Sequence, residues 1–236
     1  MREQASYVHM VSNTRLLVPY AAPYFIYVAI GMILSNFTSP AGAYLARIVI
    51  IPVVLFLCKD YYFSPRGPYD TKVSILTGGL FGILGVFLWV ILLKAFAAED
   101  RSSVSTLLFF LKSISIVLLV PIFEEYFIRG YVLRLALQWE WARKRGEARP
   151  LERAMGDDSI LRVENGAWSS LAILISSLCF MVGHNLEQWP AAFGYSLLIS
   201  VLWVLRKDLA SCVCAHAATN LGLALYVAAS GRWEYW

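Results

Sequence analysis

Apolar residues in this chain fall into seven runs, roughly 16–35, 41–58, 73–96, 104–134, 168–187, 190–205 and 209–229. Several approach or exceed the roughly 20 residues a helix needs to cross a bilayer. A membrane barrel would instead show alternating strands of about 10 residues, and these runs do not alternate. The pattern predicts an all-α, polytopic transmembrane helix bundle of seven spans, forming one integral membrane domain over 1–236. Composition agrees: 59% of the residues are hydrophobic and 15% charged, against about 45–50% and about 25% in soluble domains. The first run, with LVPYAAPYFIYVA, lacks the small-residue cleavage site of a signal peptide and is expected to stay. No repeat, low-complexity tract or second soluble domain interrupts the pattern, and the one sizeable polar segment is 138–166.

Charge then orients the spans. With the N-terminus inside, 14 of the 20 Lys and Arg residues fall on inner loops, among them Arg2, Arg15, Lys59 and seven from Arg134 to Arg162. Only Lys94, Arg101 and Arg232 fall outside. This is the positive-inside bias, so the formal charge of +4 reads as topology and gives no case for nucleic-acid binding. It also argues against splitting the fourth run at Pro121, which would move the most basic loop outside. Trp233, Tyr235 and Trp236 are expected to anchor the outer end in the interface. Trp139 and Trp141 could lay the basic loop along anionic lipid, although an orientation-setting loop explains them as well. Cys58, Cys179, Cys212 and Cys214 lack metal or redox spacing and are expected to be small buried hydrophobes.

The fourth run contains PIFEEYFIRG, with three charges where charge costs about 2.5–3.5 kcal/mol each. Glu125 and Arg129 are four apart, on one helical face, acid before base. Glu124 lies about 100° around the helix, so one glutamate reads as paired and the other as free to act. Two more polar sites interrupt apolar runs: Phe180 with His184, and His216 with Asn220, each pair four apart. The third histidine, His9, is in the N-terminal tail. Singly, each has a packing or interhelical hydrogen-bonding role as its plain explanation. Together they form a functional hypothesis.

Depth tests whether they can meet. Glu124 lies ten residues from Arg134 and His216 nine from Lys207, about 15 and 14 Å from the inner flank. His184, sixteen residues from Trp168, would lie about 24 Å in, so its helix must start inside the cytoplasm or tilt. A carboxylate and imidazoles converging in a dry bundle suggest hydrolysis, the carboxylate taking a proton from water. Donors from His216 and Asn220 would suit the oxyanion of an attacked amide.

In order and span placement, EExxxR (Glu124, Glu125, Arg129), FxxxH (Phe180, His184) and HxxxN (His216, Asn220) resemble the CAAX protease and bacteriocin-processing family, glutamate-dependent intramembrane endopeptidases related to the type II CAAX prenyl endopeptidase. The motif-bearing core is about 104–229, and the first three spans match only as generic membrane helices. The resemblance implies Glu124 as general base, His184 as its partner on the water, His216 and Asn220 as oxyanion donors, and Glu125 with Arg129 as a supporting ion pair. It implies a bundle of about eight helices, one more than the seven runs. It implies cleavage near the C-terminus of a membrane-associated protein or peptide substrate, and a site open toward the cytosol of the cell (inner) membrane if the source is prokaryotic.

Two rivals remain open. Zinc would accept Glu124, His184 and His216 as a three-ligand catalytic set, although the resemblance favours chemistry without a cofactor. Members of the family also occur as immunity or scaffold proteins, in which the same cluster would serve assembly. HExxH, GxSG and GxGD motifs of other intramembrane proteases are absent.

Overall fold

A computed structural model describes residues 11–96 and 104–235; Arg2, His9, Arg101 and Trp236 lie outside the described residues. The described chain is helical throughout: α1 (Asn13–Leu34), α2 (Pro40–Cys58), α3 (Thr71–Lys94), α4 (Thr106–Lys144), α5 (Pro150–Gly156), α6 (Ser170–Val182), α7 (Trp189–Arg206) and α8 (Leu209–Ser230). Polar residues at the ends of the apolar runs start several of them. Ser39, Asp70, Ser105, Ser169 and Asp208 each accept a backbone N–H from the helix that follows, satisfying donors that would otherwise be orphaned.

Among the described residues, six helices are long and apolar enough to cross a membrane, and the protein is an integral, multi-pass membrane protein. The fifth predicted run differs. Over 168–187 it forms only the 13-residue α6, about 20 Å long against a hydrocarbon core of about 30 Å. Asn185 takes an extended conformation, φ −66° and ψ 151°, and the chain turns through Leu186–Gln188 into α7. The polar end of the run, HNLE, makes the turn instead of continuing the span. The fourth run, by contrast, is one rod through Pro121 and continues past Arg134 to Lys144.

The basic loops gather at one end. Asn165 donates to the Arg66 carbonyl at 3.2 Å, and Leu209 N–H donates to the Pro65 carbonyl at 2.9 Å. Buried Asn13 donates to Gln138 at 2.6 Å and to the Ala154 carbonyl at 2.7 Å, and accepts from Ile160 N–H at 2.6 Å. Arg134 is buried there, donating to the Ile160 carbonyl at 3.1 Å and to Asn165. At the opposite end the expected aromatic anchor is instead packed inward. Tyr235 is buried against Tyr226, and Trp233 meets Phe109 edge-on.

One seam sets the position of α8. Gly78, Gly82 and Gly85 line one face of α3, and small residues bring backbones together where lipid offers no hydrophobic drive. A Cβ on Gly78 would sit 2.7 Å from the Ser211 carbonyl oxygen, and one on Gly82 would sit 2.9 Å from that of Ala215. Thr219 donates across the seam to the Gly82 carbonyl at 3.0 Å.

Candidate active site

The acidic pair sits on a modified stretch of α4. Val120–Glu125 is a short α-helical turn between two π-helical segments, Ser115–Leu119 and Tyr126–Val132. Such segments recur at functional sites because they re-aim side chains within a helix. Pro121 lies at the first junction; it has no N–H to give the preceding turn.

Glu125 and Arg129 are both fully buried and 3.3 Å apart. Arg129 also donates from Nη2 to the Ser196 carbonyl and hydroxyl on α7, each at 2.8 Å, and its guanidinium lies 5.4 Å from the Phe180 ring centre. Glu125 has a second partner that spacing did not announce: His216 Nδ1 lies 2.9 Å from its Oε1. An ionised carboxylate offers only lone pairs, so the imidazole is the donor. His216 Nε2 then faces Glu124 Oε2 at 3.8 Å, beyond hydrogen-bond range. That Glu124 oxygen is buried without a hydrogen-bond partner among the described residues.

His184 joins Glu124 on the wall of one cavity of about 470 Å³, with Tyr24, Phe25, Phe127 and the 178–183 face of α6. Its depth follows from where α6 begins. Ser169 donates to Glu140, which levels the start of α6 with a point six residues beyond Arg134 along α4. Sixteen positions separate Glu140 from Glu124, and fifteen separate Ser169 from His184. The start of α6 is thus offset past Arg134 along α4, which brings His184 level with Glu124. Phe180 packs on both histidines, ring centres 4.7 Å from His184 and 5.9 Å from His216. The Phe180 carbonyl lies 2.9 Å from His184 Nδ1; a carbonyl only accepts, leaving Nε2 as the free acceptor.

Asn220 sits one turn beyond His216, and its amide donates at 2.7 Å to the Ile116 carbonyl in the first π segment. Among the described residues, no group of three His, Cys, Asp or Glu is placed to hold a metal ion. The cysteines differ from expectation. Cys212 is buried, Cys58 and Cys214 are intermediate, and Cys179 is exposed on the cavity wall.

Several contributors were not legible. Trp89 on α3 is buried, its ring 5.6 Å from that of His184, and Tyr195 lies 5.6 Å from His216. Both stand in uniformly apolar stretches with no spacing to mark them. Ser196 belongs to a run of small residues on α7 that suggests close packing and nothing more.

A membrane-embedded helical bundle with a buried carboxylate–histidine cluster beside a cavity defines the class of intramembrane hydrolase candidates. Residues 106–222 match the family model described as type II CAAX prenyl endopeptidase Rce1-like. Over that stretch, which carries both glutamates, Arg129, Phe180, both site histidines and Asn220, the chain belongs to this protease family. Searches of curated proteins and of solved structures each gave no match.

Proposed function

We propose that the protein is an intramembrane endopeptidase in which Glu124 activates water for attack on a peptide bond near the C-terminus of a membrane-associated substrate. The observation that carries this reading is that Glu124 lines the cavity while its Oε2, 3.8 Å from His216 Nε2, has no hydrogen-bond partner. Every other charge in the cluster has a fixed partner, so Glu124 is the group free to exchange a proton.

With Nδ1 donating to Glu125, His216 can donate from Nε2 only as the imidazolium. Glu124, Glu125, Arg129 and the imidazolium then sum to zero charge, the inexpensive state for a dry site. Glu124 takes a proton from water held against His184 Nε2, and the hydroxide forms a bond to the substrate carbonyl carbon. The carbonyl π pair becomes the oxyanion, stabilised by His216 Nε2–H and the second amide hydrogen of Asn220. Collapse breaks the C–N bond, and protonated Glu124 returns its proton to the leaving amine. No step runs through a metal. The basic end faces the cytosol in this proposal, with the N-terminus inside the cell (inner) membrane.

The test compares protein termini in membranes of host cells carrying the wild-type chain or Glu124→Gln at equal abundance. Fragments present only with wild type establish the protease and reveal its substrate. Identical termini, with the cellular phenotype intact in Glu124→Gln, overturn the catalytic reading and leave an assembly role. Loss of at least about 100-fold in cleavage is expected for removing a general base.

A further inference from the structure

Helix α4 carries a bond that its own sequence cannot make. Val120 N–H reaches back five residues to the Ser115 carbonyl, the π-helical register. The next bond of that register would run from residue 121 to the Ile116 carbonyl, but residue 121 is proline and has no N–H. The Ile116 carbonyl is the acceptor left over, and it receives Asn220 Nδ2–H at 2.7 Å from α8. A carbonyl stranded in an apolar bundle costs several kcal/mol in hydrocarbon, so the side chain and the missing donor belong together.

We infer that Asn220 is a positioning residue for Glu124: by supplying the donor Pro121 lacks, it holds the π segment whose end aims the carboxylate at the cavity. Glu124 stands three residues past Pro121. Relaxation of the segment to ordinary α-helix would turn everything beyond it by about 100° for the one residue gained. The same contact ties Glu124 to the helix that carries His216, four residues before Asn220. The proline and the asparagine are thus two halves of one device, and the prediction concerns their coupling. This inference rests on Glu124 being the general base.

The experiment is a double-mutant cycle on the full chain in lipid vesicles, read as cleavage rate on the substrate that the comparison of termini identifies. Asn220→Ala should lose about 100-fold in kcat for the missing oxyanion donor and about a further 30-fold from an unsatisfied buried carbonyl worth about 2 kcal/mol. Pro121→Ala restores a backbone donor for Ile116 and should stay within about threefold of wild type, an offset under about 1 kcal/mol. In the Pro121→Ala background, Asn220→Ala should cost at least about tenfold less than it does alone. Equal losses in both backgrounds would overturn the inference and leave Asn220 as an oxyanion donor only. A folded but inactive Pro121→Ala would overturn it as well. Thermal melts accompany each variant; should Asn220→Ala not fold, Asn220→Ser replaces it, its hydroxyl satisfied on its own helix. Glu124→Gln run alongside separates the failures: if that variant still cleaves, the general-base reading has failed; if it is inactive and no coupling appears, only the positioning role has.

Discussion

Replacing Arg129 by methionine removes a charge while keeping most of the side-chain length, and it isolates what the buried pair contributes. In the wild-type chain the guanidinium lies 3.3 Å from Glu125 and bonds twice to Ser196 at 2.8 Å, with both ionised side chains fully buried. Without it, Glu125 keeps only the His216 bond, and one carboxylate oxygen faces an apolar wall. Removing one partner of a buried ion pair costs about 3–5 kcal/mol, a large part of a total stability of about 5–15 kcal/mol. At about 2–4 °C per kcal/mol for a chain of this size, Arg129→Met should melt roughly 6–20 °C below wild type in detergent. The penalty belongs to the stranded charge, so adding Glu125→Gln should restore more than half of the lost stability. The double variant should nevertheless remain inactive, because His216 has lost the carboxylate that fixes its Nδ1–H. A single variant melting within about 2 °C of wild type, or a double variant no better than the single, would refute the argument.

Three further outcomes follow from the same geometry. Gly82→Val forces a side chain against the Ala215 carbonyl and should lower the melting point by roughly 2–12 °C, from about 1–3 kcal/mol of overpacking. Gly79→Val, where an added Cβ meets nothing within 4 Å, is the matched control and should melt as wild type does. A maleimide should block cleavage by reacting with Cys179 on the cavity wall, and Cys179→Ser should resist it; a wild-type chain labelled at Cys179 that still cleaves would mean the cavity does not admit substrate. On the proposed mechanism strong chelators should leave the cleavage rate unchanged; inhibition reversed by added zinc would overturn the metal-free mechanism.

The helical membrane class, the single rod through Pro121 and the gathering of basic loops at one end were legible because each rests on a sum over many residues. The Glu125–Arg129 pair was legible because its spacing is local to one helix. The break at 183–188 was not. A hydropathy sum absorbs four or five polar residues between apolar flanks, and only the backbone at Asn185 reveals the turn. The second partner of Glu125 was hidden for a different reason. Contact with His216 spans 91 positions and depends on how closely α3 and α8 approach, which the glycines permit but do not announce. Asn220 read as a donor for an oxyanion because the π register that gives it a backbone partner has no signature beyond one proline.

These dependencies explain how the chain keeps charge in a dry bundle. The glycine face of α3 lets α8 approach until Thr219 bonds the Gly82 carbonyl, and that approach sets the height of His216. At that height the imidazole reaches Glu125, whose second oxygen lies 3.3 Å from Arg129 Nη1, and Arg129 Nη2 donates to Ser196 of α7. Glu125 and Arg129 pair within α4 and take further partners from α8 and α7, so one network ties three helices together. The network stops at Glu124. Its Oε2, 3.8 Å from His216 Nε2, is buried without a hydrogen-bond partner, and the residue lines the cavity. A carboxylate left without a fixed partner on a cavity wall, beside neighbours that each have one, is the arrangement the proposed proton transfer needs.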